Sequence, residues 1–270
     1  MGIGSQSVQI SGSTALLTGA TGGIGQAIAR ALAGRGAQLI LTGRRSDVLD
    51  PLAGELGARA LAVDLSDRAE VSRLLGEAGD VDILVANAAL PGSGRVEDFS
   101  LEEVDRALDV NLRAPIVLAQ GLVPQMVARH SGHLVFISSL AGKAATPNTA
   151  LYNATKFGLR GFASALRADL HGTGVGVTTV FPGFIRDAGM FAVADVKLPA
   201  GVGTRTPEEV AAAVVAGIER NRAEIDVAPL PLRISTVFAS LAPEMAGRMA
   251  RRMGSDEISS QMAAGQRDKR

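Results

Sequence analysis

Seven short runs, apolar nearly throughout, recur along the chain, and longer segments with helical spacing separate most of them. The runs are TALLTG (14–19), AQLILTG (37–43), RALAVD (59–64), DILVAN (82–87), HLVFISS (133–139), VGVTTVFP (175–182) and EIDVAP (224–229). A strand that is apolar on both sides must be covered on both faces, which a parallel sheet with crossover helices provides. Helical spacing of apolar residues marks GIGQAIARALAGRG (23–36), SDRAEVSRLLGEAG (66–79), a long segment around 101–129, and LYNATKFGLRGFASALRADLHG (151–172). In the last of these, Leu159, Phe162, Leu166 and Leu170 form one stripe. Thr206-Pro207-Glu208-Glu209 opens a further helix, with a capping hydroxyl, proline at the first helical position and acids in the first turn. The pattern predicts an α/β fold, a single doubly wound parallel sheet with helices on both faces over residues 13–229. Residues 1–12 read as a flexible polar arm and 230–270 as a helical extension.

Composition removes several functions. The chain has 27 Lys+Arg against 27 Asp+Glu, 3% aromatic residues, no Trp and a single Tyr, so it offers neither a phosphate-neutralising field nor stacking platforms for nucleic acid. With no cysteine it has no disulfide scaffold, no thiol catalysis and no cysteine-ligated zinc. The first dozen residues lack the basic and apolar regions of a secretory signal, and no apolar stretch reaches the ~18 residues of a spanning helix. The expected protein is soluble and cytoplasmic. His130, His133 and His171 fall at predicted element edges without a companion carboxylate pattern, which predicts solvent-exposed rings and no metal site. No GxSxG elbow of a serine hydrolase is present.

The first strand runs directly into Gly19-Ala20-Thr21-Gly22-Gly23-Ile24-Gly25, which opens a helix. A strand, a glycine turn and a helix start make an anion site, because backbone N–H groups and the helix dipole converge where no Cβ blocks a phosphate. A tight packing turn would use the same glycines. The second strand ends at Arg44-Arg45 with no acid at its tip. Paired guanidinium groups there favour NADP(H), whose 2′-phosphate they can fork onto, with NAD(H) the alternative; a solvated loop is the plainer reading.

Tyr152 precedes Lys156 by four residues, so both fall on one helical face, where an ammonium can stabilise a phenolate and lower its pKa. Such a tyrosine is a general acid for a carbonyl oxygen. A half-buried Tyr with a solvent-facing Lys fits the same spacing. Ser139 ends the fifth strand, at the carboxyl edge where ligands bind in doubly wound sheets and where the glycine turn also lies.

Taken in order, Thr18-Gly19-x-x-x-Gly23-Ile24-Gly25, Asp64-Leu65, Asn87-Ala88-Ala89, Asn111, Ser139, Tyr152-x-x-x-Lys156 and Pro182-Gly183 resemble the short-chain dehydrogenase/reductase family over about residues 12–228. The resemblance implies a Rossmann-type fold and an NAD(P)-dependent oxidoreductase. It implies that Tyr152 is the acid/base, that Lys156 holds the nicotinamide ribose and lowers the tyrosine pKa, and that Ser139 orients the substrate oxygen. Asn111 then supports a proton relay, Asp64 and Leu65 border the adenine, and Asn87 and Ala88 shape the wall behind the cofactor. It also implies a homodimer or homotetramer through the 101–129 and 151–172 helices.

The chain departs from the family pattern in three places. Ala86-Asn87-Ala88-Ala89 stands where the family often reads Asn-Asn-Ala-Gly. Arg186 stands where a carboxamide-binding Thr is frequent, which shifts that contact toward backbone groups such as Ile185 and leaves Arg186 to pair with Asp187. Gly22 stands where NADPH-preferring members often place a basic residue.

The segment 184–206 carries Met190, Phe191, Val193, Val196 and Leu198, which suit either an apolar substrate wall or core packing. An apolar wall predicts a small hydrophobic carbonyl or alcohol as substrate. A non-catalytic dinucleotide-binding sensor, and an epimerase or dehydratase without net cofactor turnover, are the other readings. Residues 230–270 place Ile234, Val237, Phe238, Leu241, Met245, Met249 and Met253 at near-helical spacing, with seven Lys+Arg against four Asp+Glu. A helix that closes the subunit or packs on a neighbour is the favoured reading of this tail, and contact with an anionic membrane the other.

Overall fold

The computed structural model describes residues 8–194, 202–252 and 255–266. One sheet contains β1 (Thr14–Leu17), β2 (Gln38–Gly43), β3 (Arg59–Ala62), β4 (Ile83–Ala86), β5 (Gly132–Ile137), β6 (Val175–Pro182) and β7 (Glu224–Val227). Its spatial order is β3-β2-β1-β4-β5-β6-β7, and every neighbouring pair is parallel. The order reverses between β1 and β4, the switch point at which such sheets take ligands beyond their carboxyl ends.

The helices are α1 (Gly23–Ala33), α2 (Ser46–Leu56), α3 (Arg68–Ala78), α4 (Leu101–Leu108), α5 (Ala114–Ala128), α6 (Ala150–Asp169), α7 (Gly189–Ala194), α8 (Pro207–Arg220), α9 (Leu230–Leu241), α10 (Pro243–Arg252) and α11 (Ser255–Gln266). Strand alternation divides them between two faces. Ala15 and Leu17 share a core with Ile28 and Leu32 of α1, Leu49 of α2, and Val214 and Ile218 of α8. Leu16 turns to the other face, with Leu74 of α3, Leu118 and Leu122 of α5, and Leu159 of α6. This is the doubly wound architecture that the apolar runs predict, of the Rossmann type that the family resemblance implies.

At the start of α8, the Thr206 hydroxyl accepts from the Glu209 N–H at 3.2 Å, and the Glu209 carboxylate accepts from the Thr206 N–H at 2.8 Å. The expected cap is therefore reciprocal. Three other expectations change. The segment around 101–129 is two helices, because a π turn at Asp109–Arg113 interrupts it. The arm read as 1–12 is not loose over its last residues: Val8 and Ile10 are apolar and bury themselves in the core, and the Gly12 N–H donates to the Gly36 carbonyl at 2.9 Å. His130 and His171 are exposed, but His133 is 1% exposed. It lies within β5, where a central strand is covered on both faces, and its Nε2 is 2.8 Å from Thr178 Oγ1.

Burial, helped by the charge of Arg167, pushes the His133 pKa down from 6.5 to about 3. An unfolded chain's histidine takes up its proton near 6.5, so between those values the unfolded state binds more protons and stability falls as pH drops. Thermal melts should therefore show the wild-type Tm falling as pH drops from about 6.5 toward 3, and His133→Gln falling less steeply.

Candidate active site

The glycine turn follows β1 and is braced by the segment after β4. Asn87 Nδ2 donates to the Thr18 and Gly19 carbonyls at 3.0 and 3.1 Å, and Thr18 Oγ1 accepts the N–H groups of Asn87 and Ala88 at 3.1 Å each. Gly19 has φ +68°, and a Cβ there would lie 2.7 Å from Ala88 Cα. A Cβ on Gly25 would strike the Gly19 carbonyl oxygen, and one on Gly23 would lie 2.6 Å from Ala188 Cβ in the segment after β6. Gly22 differs: its Cβ would meet only the Gly19 oxygen, at 3.7 Å. Gly19, Gly23 and Gly25 are thus packing glycines, while Gly22 caps α1 beside open space. Ile24, half-buried, packs against the core on the α1 side.

Both arginines at the end of β2 reach this region by different contacts. Arg45 donates to the Thr21 carbonyl at 2.7 Å. Arg44 lies 4.0 Å from the Asp64 carboxylate, which Arg106 approaches at 3.9 Å from the other helical layer. Burial alone would raise the Asp64 pKa, but hydrogen bonds from the Ser66 N–H and hydroxyl, then Arg44 and Arg106, hold it below the usual carboxylate range. Leu65 next to it turns its side chain into the core.

Ser139, Tyr152 and Lys156 come together at the carboxyl end of β5. Ser138 and Ser139 follow the strand, and Gly142 lets that loop press on α6: a Cβ there would lie 2.7 Å from the Lys156 carbonyl oxygen. The Ser138 hydroxyl donates to the same carbonyl at 3.1 Å. Lys156 is 1% exposed, and its ammonium donates to the Ile137 carbonyl at 3.0 Å and lies 5.6 Å from the centre of the Tyr152 ring. Tyr152 is half-buried and hydrogen-bonded to the Ser139 side chain.

The expected lowering of the tyrosine pKa does not appear. Burial pushes the Tyr152 phenol up to about 12 against the opposing Ser139 hydrogen bond, and burial pulls Lys156 down to about 8. Loss of water dominates because the ammonium is directed to a backbone carbonyl and the ring face. Both groups carry their protons at neutrality.

Asn111 sits in the π turn, fully buried. Its side chain accepts from the Leu90 N–H at 2.7 Å and donates to the Leu90 carbonyl at 2.9 Å, with Thr155 Oγ1 at 3.5 Å. An extra residue in the helical turn is what aims this amide at the loop after β4.

Beyond β6, Ser139 Oγ lies 3.5 Å from the Pro182 carbonyl oxygen, the Gly183 N–H donates to the Val227 carbonyl at 3.0 Å, and Ile185 is buried. Arg186 pairs with Asp187 at 3.7 Å and also reaches Thr204. Phe184 and Phe191 pack at a tilt of 55° with their centres 5.1 Å apart, and the Met190 carbonyl accepts from Gln266 of α11 at 3.1 Å. Val196, Leu198 and Met253, named from the sequence, lie outside the described residues, as does the side-chain placement of Val193.

Comparison with known proteins gives this arrangement its context. The short chain dehydrogenase family model matches residues 13–197. The chain belongs to the short-chain dehydrogenase/reductase family. A ketoacyl reductase, HetN, of a Nostoc species is 35% identical over 86% of this chain and 84% of its own. Dehydrogenase/reductase SDR family member 7B of Xenopus laevis is 32% identical over 85% of this chain and 78% of its own. A short-chain dehydrogenase from Sphingobium yanoikuyae, solved in complex with NADPH, superimposes with a TM-score of 0.75 at 28% identity, covering 88% of this chain and 95% of that one. A serine dehydrogenase complexed with NADP+ gives 0.71 at 31% identity, over 81% and 95%.

Within this short-chain dehydrogenase/reductase, several residues around the site carried no sequence signal as single letters. Lys143, just beyond Ser139, bonds Asp226 at 2.6 Å and Glu224 at 3.0 Å across to β7, with its ammonium 4.0 Å from the Phe181 ring centre. Arg160 of α6 joins the same Glu224 at 2.8 Å. Asn153, one residue after the tyrosine, donates to the Ala141 and Ala144 carbonyls. A charged residue four positions from a candidate site residue gains meaning only when β7 arrives beside it.

The glycine geometry separates closely spaced positions. Gly19→Ala and Gly25→Ala should each destabilise the protein by about 1–3 kcal/mol in urea titrations, whereas Gly22→Ala should stay within about 0.5 kcal/mol of wild type or rise slightly. Equal losses at all three positions would contradict this division.

Proposed function

We propose that this protein is an NADP(H)-linked oxidoreductase that interconverts a small hydrophobic carbonyl compound and its secondary alcohol, with NAD(H) the weaker cofactor. The reading rests on one observation: Ser139 hydrogen-bonds Tyr152 beside the buried Lys156, on the sheet edge that also carries the glycine turn. The fit to a dinucleotide is supported by the open Gly22 position at the start of α1, in a turn that the packing of Gly19, Gly23 and Gly25 holds close to the sheet.

When bound, a nicotinamide cofactor would supply the hydride chemistry at the substrate carbon. Backbone N–H groups of Thr21, Gly23 and Ile24 would hold its diphosphate at the helix start, where Gly22 leaves room for it. Arg44 and Arg45 take the 2′-phosphate, since a guanidinium forks onto phosphate and no acid stands at the end of β2 to bind a bare ribose. Similarity in fold to the NADPH and NADP+ complexes supports the same preference. Asp64 and the backbone of Leu65 would border the adenine, Asn87 and Ala88 brace the wall behind the cofactor, and backbone groups of Pro182, Gly183 and Ile185 would meet the carboxamide.

Tyr152 donates its proton to the substrate oxygen during reduction, and its pKa of about 12 keeps that proton in place at neutrality. Ser139 holds the same oxygen by hydrogen bonding. Lys156 holds the nicotinamide ribose, and Asn111 fixes the Leu90 loop that closes this end of the proton route. Phe184, Met190 and Phe191 provide an apolar wall, which favours a hydrophobic substrate. A dimer or tetramer through α4–α6 is supported by the exposed Leu101, Leu108 and Phe157 on those helices.

Tyr152→Phe should lower kcat for reduction of a hydrophobic ketone by about 10²–10⁴-fold while NADPH affinity stays within about twofold. Retained turnover in this variant would overturn the proposal. NADPH should bind at least about tenfold tighter than NADH, and Arg44→Asp should reverse the order. Lys156 is charged below about pH 8 and neutral above it, so the wild-type rate in the reducing direction should fall as pH rises through about 8.

A further inference from the structure

Helices α9 and α10 carry an apolar stripe that the rest of the described structure leaves uncovered. Leu230, Ile234, Val237 and Leu241 recur at spacings of four, three and four residues and so fall on one line along α9. Met245 and Met249 form a similar pair on α10. All six are between 52% and 81% exposed. The stripe is not a displaced core, because α9 is seated by another face: Thr236 is buried, and the Ser240 hydroxyl donates to the Lys143 carbonyl at 3.3 Å. Single exposed apolar side chains are ordinary, whereas several in line mark an interaction surface.

Charge decides what kind of surface fits. Across α9 and α10, Arg233, Arg248, Arg251 and Arg252 stand against one acid, Glu244. Arg233 is turned to Asp226 at 3.8 Å. Arg248, Arg251 and Arg252 are exposed, and none of them forms an ion pair among the described residues. On α10, Arg248 and Arg252 each lie three residues after a methionine of the stripe, so the cations border the apolar line. Two copies of this chain meeting stripe to stripe would crowd their arginines together. A surface with an apolar interior and negative headgroups complements both features. Among the described residues no helix is long and apolar enough to cross a membrane, so contact of this kind is interfacial.

We propose that α9 and α10 dock this protein on an anionic lipid surface, with the stripe in the acyl boundary and the three arginines at headgroup level. The next helix, α11, touches α10 and packs on α7, which carries Phe191, so one helix links the docking helices to the segment after β6.

The full chain should co-float with vesicles of phosphatidylcholine containing about 30 mol % phosphatidylserine and not with phosphatidylcholine alone. Leu241→Glu and Ile234→Glu should each weaken flotation at least about tenfold, and Arg248→Glu with Arg252→Glu should remove the preference for phosphatidylserine. Circular dichroism melts within a few degrees of wild type confirm that these exposed positions leave the fold intact. Failure of the full chain to float with the anionic vesicles overturns the proposal, as does equal flotation of the stripe variants. If Leu241→Glu instead splits a dimer in sedimentation equilibrium while flotation is unchanged, the face belongs to a second copy of the chain.

Discussion

A buried ammonium organises the site. Removing a cation from water is costly unless polar groups replace the water, and Lys156 finds such a group in the carbonyl of Ile137, the last residue of β5. That bond fixes how the strand end meets α6. The loop between them follows the same contact: Gly142 admits the Lys156 backbone, Ser138 caps the Lys156 carbonyl, and Ser139 is left within reach of Tyr152. Tyr152 and Lys156 lie on one helical face, so burying the second places the first beside the strand end. Their protonation follows from the same burial, since water is lost around both.

The glycine turn and the serine–tyrosine pair belong to separate strands, β1 and β5, with β4 between them. The segment after β4 couples them. Asn87 braces the turn, Leu90 is held by both functions of the Asn111 amide, and Gly92 lies so close to α6 that a Cβ on it would be 3.0 Å from the Tyr152 backbone nitrogen. Gly94 then donates to the Asn148 carbonyl at 2.7 Å, two residues before α6 begins. A π turn is an uncommon feature, and here it places the amide that holds the middle of this path.

The sheet and most helices were legible because burial on two faces forces continuous apolar runs, and because helical stripes repeat at a fixed period. The helix at Ser46–Leu56 was not, since Pro51 interrupts its pattern and it is the packing of Leu49, Leu52 and Ala53 that seats it. The π turn was hidden for the opposite reason: it leaves the apolar spacing of 101–129 nearly intact. Of the site, the order of motifs pointed to the same strand ends that the fold brings together. The pKa of Tyr152 was misjudged because spacing reports which residues share a face, while burial depends on β5 and the loop after it. His133 was misjudged similarly, as a residue at the edge of a run can still lie inside a covered strand. Lys143 needed β7, far along the chain, before its role in tying the Ser139 loop to the sheet became visible.

The composition provides a direct test of the buried pair. Tyr152 is the single tyrosine and there is no tryptophan, so the phenolate absorbance band of the whole protein reports this one side chain. A spectrophotometric pH titration, followed in parallel by circular dichroism, should show no phenolate while the fold is intact up to about pH 11, with ionisation appearing near 12 or on unfolding. A phenolate step at or below the ordinary value of 10.0 in the folded protein would contradict the account, because it would mean that the Lys156 charge, and not burial, sets the state of Tyr152.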